Sequence, residues 1–153
     1  MYEFLEYIKA YLQTCFDNDN DFTASKKPKL IDSYKINHEP KMTQPEIQVQ
    51  IMDDSENMAY TTFCGKRTDS TPLQISAFSG QMKIGGIDKN AQHSSIIIAD
   101  KIKKYLYELI YSDDKENMLT GRHITSSPAL PMNDGGSIYM SAVRFDFDVQ
   151  TEV

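Results

Sequence analysis

Cysteine is scarce: Cys15 and Cys64 are the two in 153 residues. Two thiols cannot build a disulfide framework, and their scarcity points to a reducing compartment. Long apolar runs are also missing. The longest is Ile96-Ile97-Ile98-Ala99, far below the ~18 residues of a membrane-spanning helix. The opening stretch MYEFLEYIKAYLQTCF is interrupted by Glu3, Glu6 and Lys9, so it is expected not to act as a signal peptide. There is no Asn-x-Ser/Thr sequon. Positive charge is in deficit: 16 Lys and Arg stand against 22 Asp and Glu, a net charge of −6. Loose phosphate binding needs clustered cations, so this balance disfavours a nucleic-acid-binding role.

Apolar residues make up 40% of the chain and charged residues 25%, a globular composition with enough material for one core. A single domain over 1–153 is expected. Leu5, Ile8, Leu12 and Cys15 recur at helical spacing, which predicts a helix over 2–16 that ends at Asp17-Asn18-Asp19-Asn20-Asp21. In that reading Cys15 is a small core residue. Residues 17–45 are polar and broken by Pro28, Pro40 and Pro45, with a short strand or packed segment near Leu30–Ile36.

From 46 the period becomes two. Ile47, Val49 and Ile51 alternate with glutamines, and residues 58–64 and 72–78 are rich in strand formers. Residues 53–57 read as the turn of a hairpin joining 46–51 to 58–64, and Pro72 as the opening residue of its strand. Residues 79–93 are expected to be irregular. Ile98, Ile102, Leu106, Leu109 and Ile110 then trace a helix over 95–111, capped by Ser94 or Ser95, with Asp100 and Lys104 as an exposed pair. Residues 122–127 and 138–149 read as antiparallel strands, the second with Val143, Phe145, Phe147 and Val149 on one face. The order predicts an α+β fold: a mostly antiparallel β-sheet with two main helices packed on one face.

Motifs of chemistry are weak. Asp17-x-Asp19-x-Asp21 opens like a calcium loop, but Phe22 and Pro28 stand where that loop requires Gly and Glu. His38, His93 and His123 are scattered without metal-ligand spacing. Cys64 lies beside Lys66 and Arg67, which favour a thiolate, yet no base is adjacent. Gly85-Gly86 and Gly135-Gly136 belong to no phosphate-binding pattern. The lysines at 26, 27 and 29 and at 101, 103 and 104 read as solvated faces. No metal or cofactor is therefore expected, and no enzymatic activity. Eight methionines and nine tyrosines lean toward an adaptable protein–protein surface.

The order of elements resembles the tail terminator proteins of long-tailed bacteriophages, also called tail completion or minor capsid proteins. The likeness runs over about 2–149. It rests on the first helix, on EIQVQIMD and MAYTTFCG, on PLQISAFSG leading to IADKIKKYLYELI, and on RHITSSPALPMNDGGSIYMSAVRFDFDV. It implies a structural virion protein that assembles into a ring, usually hexameric. Such a ring caps the tail tube, ends tube polymerisation and joins the tail to the connector or neck of the head. The implied partners are further copies of the chain, the tail tube protein and the neck proteins. DNA would pass through the ring without specific binding, and no membrane is involved. The implied location is the neck end of the virion tail, with assembly in the host cytoplasm. Met82, Ile84, Ile87 and Met132 are the first candidates for subunit or neck contacts. Candidate contact segments are 53–57, 65–71, 79–93 and 129–136. Two other readings stand beside this one: a head completion or neck adaptor protein, and a small hydrolase using Cys64 with His123 or His93.

Overall fold

A computed structural model describes residues 2–32, 44–52, 60–63, 66–112, 120–132 and 134–152. The expectations placed on Tyr34, Ile36, His38, Cys64 and the turn at 53–57 lie outside these residues. The fold is α+β. Helix α1 (Tyr2–Asp17) is followed by strands β1 (Lys29–Ile31), β2 (Glu46–Ile51), β3 (Tyr60–Phe63), β4 (Lys66–Ser79), β5 (Met82–Ile84) and β6 (Ile87–Lys89). Helix α2 (Ala91–Ile110) comes next, then β7 (Thr120–Ser126), β8 (Leu130–Pro131) and β9 (Tyr139–Glu152).

The main sheet runs β1-β2-β4-β9-β7, with β3 added on β4 and β8 on β9. All its pairings are antiparallel except β1 with β2. β4 and β9 pair along their whole length, from Lys66 opposite Glu152 to Ser79 opposite Tyr139. Residues directly opposite share a face. Thus Leu73 with Phe145 and Ile75 with Val143 line one side, joined by Ile47 and Val49 of β2. These meet Ile8, Leu12 and Phe16 of α1 and Ile98, Ile102 and Leu106 of α2 in one buried cluster. Both helices therefore cover the same face, as the alternation of the strands predicts.

Several details differ from the sequence reading. β2 does not pair with β3; it pairs with the second half of β4, and β3 with the first half. The reason is the length of β4, which spans 66–79 and leaves room for two partners end to end. The stretch 65–71, expected as a loop, is thus mostly strand. Pro72 lies inside β4 rather than at its start. Its carbonyl accepts from Met52 N at 2.9 Å, so its nitrogen points to the same side. There it falls in the gap between β2, which pairs from Leu73 onward, and β3, which pairs up to Asp69, and no N–H is needed.

The stretch 79–93 is ordered into the β5–β6 hairpin. Gly85 and Gly86 have φ of 64° and 79°, the left-handed values that a tight two-residue turn requires at both central positions. α2 begins four residues earlier than expected, because Asn90 rather than a serine caps it: its Oδ1 accepts from His93 N at 2.8 Å. Ser95 is instead fully buried and hydrogen-bonded to Ser141 of β9 at 3.0 Å. Cys15 is only partly buried, since Phe16 takes the inward position; burial and the nearby Glu108 push its thiol up. Asp100 and Lys104 form no ion pair, consistent with the small gain available to an exposed pair.

Ile102 is fully buried at the centre of α2. Ile102→Asp places an unpaired charge in the cluster and is expected to cost about 4 kcal/mol or more, enough to unfold the domain near room temperature. Circular dichroism melting checks this; a wild-type transition would contradict the helix-face assignment.

Candidate interaction surface

The surfaces left by this fold are the helix-free face of the sheet, the two sheet edges and the β5–β6 hairpin. The helix-free face is largely polar, although Phe78 and Ala142, on the same face by register, are buried. Gln48, Gln50, Gln74 and Ser76 share it with Arg144, Asp146 and Asp148 of β9 by register. At its β7 side a shallow groove of roughly 300 Å³ is lined by Thr120, Gly121, Arg122, Asp146 and Asp148. Gly121 is needed for packing behind this groove: a Cβ there would lie 2.8 Å from the Phe147 ring and 3.2 Å from Ile110.

The two edges are unlike. On the β1 side, Lys29 N points inward and bonds Pro45 O at 3.0 Å, so the Pro28 carbonyl and the Leu30 amide point outward. Gln13 of α1 occupies both. Its Oε1 accepts from Leu30 N at 3.0 Å and its Nε2 donates to Pro28 O at 3.2 Å. One carboxamide supplies the donor and the acceptor that a further strand would supply at these two positions of β1. On the other side β7 and β8 both lie along β9, forming a border from Thr120 to Pro131. A bulge interrupts it between His123 and Thr125. Ile124, Leu130 and the following Met132 are 41%, 46% and 37% exposed. Among the described residues no strand pairs with the outer side of β7 or β8, and aliphatic side chains along such a border mark an edge available for pairing.

The four candidate contact residues divide evenly. Met82 and Ile84 are buried in the common cluster, because on β5 they face the core while Lys83 faces water. They anchor the hairpin within its own subunit and offer no contact surface. Ile87 is 60% exposed and Met132 lies at the end of the open border. The sequence alone missed Ile124 and included Leu130 only within the segment 129–136. The signal that would have found them is the border position of β7 and β8, which requires the sheet order.

The Asp17–Asp21 loop ends α1 and is exposed except at Asp19, and two of its carboxylates are paired. Lys101 of α2 donates to Asp19 Oδ2 at 2.9 Å and Asp21 Oδ2 at 2.7 Å, with its ammonium 5.6 Å from the centre of the Phe22 ring. Tyr105 also donates to Asp19. The ammonium thus fills the position between the carboxylates that a cation would take. Lys27 donates to the backbone carbonyls of Asp17 and Asp19, giving α1 the positive charge at its C-terminus that its own last turn lacks. Burial opposes the charge on Asp19, but hydrogen bonds from Tyr105, Lys101 and the Asp21 amide outweigh it and hold the carboxyl below its usual range.

Among the described residues no group of three or more His, Cys, Asp or Glu side chains could hold a metal. His93 is exposed at the start of α2. His123 Nε2 lies 2.8 Å from Ser126 Oγ; burial and Lys103 lower its pKa. Its ring packs edge-on against Phe145 with centroids 5.4 Å apart. Among the described residues no carboxylate bonds this imidazole, so the pair lacks the orienting group of a hydrolytic triad. No helix is long and apolar enough to cross a membrane. No protein-family model matches the chain, and no curated protein is significantly similar to it.

Two outcomes test this description. Lys101→Met leaves Asp19, whose side chain is 7% exposed, without its cation, and is expected to cost about 1–3 kcal/mol. Because the Asp19 carboxyl is held low when folded, its contribution is present at neutral pH and is lost as pH falls through about 4 and below. The melting difference between Lys101→Met and wild type should therefore narrow over that range; a difference independent of pH would refute the coupling. Gln13→Ala should speed hydrogen exchange of the Leu30 amide, read by NMR, and lower the melting temperature by about 2–4 °C. Unchanged protection at Leu30 would show that this amide is protected by something else.

Proposed function

We propose that this chain is a structural subunit of a phage-like virion, a tail terminator that forms a ring at the end of the tail tube. The observation that carries the reading is the distribution of exposed aliphatic side chains. Ile124, Leu130 and Met132 gather along one sheet border, while on the opposite flank Gln13 already occupies the outward groups of β1 at Pro28 and Leu30. Exposed apolar side chains gathered along a sheet border suit a partner at that edge. The order of elements supports the same reading through its resemblance to tail terminators.

The mechanism is steric. A ring of copies occupies the surface that the next tube subunit would use, so polymerisation stops, and the opposite rim meets the neck. Subunit contacts in such a ring are heterologous, joining two different patches, and close when the rotation between copies divides a full turn. The ring is read as hexameric, with the tail tube protein and the neck proteins as further partners. The net charge of −6 suits passage of DNA through the opening, since adhesion to phosphates would oppose movement.

Negative-stain imaging of the purified chain, alone and with tail tubes, should show a six-fold ring with a central hole. Deletion of the gene should give overlong tails and separate full heads. Heads that leak DNA beside free tails of normal length would instead assign the chain to head completion.

A further inference from the structure

We propose which two surfaces meet in that ring: the β5–β6 hairpin of one copy seats in the groove at the β8 end of the open border of the next. Ile87 makes the apolar contact, and Lys83 and Lys89 face Asp134. The proposal rests on the ring reading and adds the identity of the contact.

A heterologous contact needs a second patch unlike the first. The β1 border is less suited to it, because Gln13 already satisfies the Pro28 carbonyl and the Leu30 amide. The hairpin is better suited. Ile87 is its exposed apolar residue, at 60%, beside the Gly85-Gly86 turn. Its other face is fixed: Met82 and Ile84 are in the core, and Gly85 N donates to Asp21 O at 2.8 Å. The hairpin is thus a firmly mounted projection, which limits the ordering cost of docking.

The receiving groove has a volume of roughly 600 Å³ and is lined by Pro131, Met132, Asp134, Gly135, Gly136 and Tyr139. It has room for an isoleucine side chain together with part of a turn, and the two glycines keep its wall low. Among the described residues Asp134 is its one charged lining residue. The hairpin offers Lys83, Asp88 and Lys89, a net positive charge, so the two patches attract.

Their placement suits a heterologous contact. Ser79, which leads into the hairpin, is opposite Tyr139, and Tyr139 is opposite Pro131. Hairpin and groove therefore lie at the same end of the sheet. They are separate patches: the hairpin packs against α2 and is bonded to the loop after α1, whereas β8 lies beyond β9.

The test uses the full chain and light scattering after size exclusion, with melting measured for every variant. Ile87→Asp and Met132→Asp should retain wild-type melting and raise the concentration needed for assembly by about tenfold or more. Asp134→Lys should weaken assembly, and adding Lys83→Glu with Lys89→Glu should restore it. A wild-type ring that Ile87→Asp leaves intact removes this contact and spares the ring reading, as does triple charge reversal no better than Asp134→Lys alone. An Ile87→Asp ring that forms normally but no longer caps tubes also removes it, by assigning Ile87 to the tube. Wild-type protein that stays monomeric both alone and with tail tubes removes the ring reading itself.

Discussion

The pairing of β4 with β9 is the constraint on which the rest of the molecule depends. Fourteen residues of each strand run side by side without a break in register. That ladder puts Leu73, Ile75, Val143, Phe145 and Phe147 on one face, and only this face can bury both helices. A slip of one residue would move the whole set to the other side. The length of β4 also decides the topology around it, since β2 and β3 can both pair with it only by sharing it end to end. The tolerance of Pro72 in mid-strand follows from that division.

Polar contacts then fix what the apolar layer leaves free. Ser95 and Ser141 join α2 to β9 inside the core. Lys101 and Tyr105 draw in the loop after α1, and through Asp21 that loop holds the hairpin. The hairpin's exposed tip is therefore positioned by the same α2 that packs on the sheet. A charge cluster around Lys101 thus sets where Ile87 stands.

Much of the fold was legible in the residues. The stripes of α1 and α2 and the alternation in β2 and β9 report burial on one face, and burial on one face is what stabilises these elements. Pairing partners were less legible. The hairpin expected between 46–51 and 58–64 followed from proximity along the chain, whereas β2 found a better match in Leu73–Phe78 across a longer connection. The cap of α2 was misplaced because Ser94 and Ser95 are good cap residues locally, yet their burial against β9 and the hairpin assigned them elsewhere. Of the contact candidates, Met82 and Ile84 carried the same apolar signal as Ile87. Only the pleat of β5, which alternates inward and outward positions, separates them. Ile124 was invisible in the sequence, and Leu130 stood out only as a member of 129–136, because an exposed border exists only once the strand order is known.

Gln13 has one more implication. A fibre built by stacking sheets side by side requires each molecule to be adhesive on two borders, so that every addition creates a new place to add. Here the Pro28 carbonyl and the Leu30 amide on one flank are already taken by a carboxamide that belongs to the molecule itself. Two molecules that met bare border to bare border would present to a next arrival a β1 strand with these two groups satisfied, which hinders that route of growth.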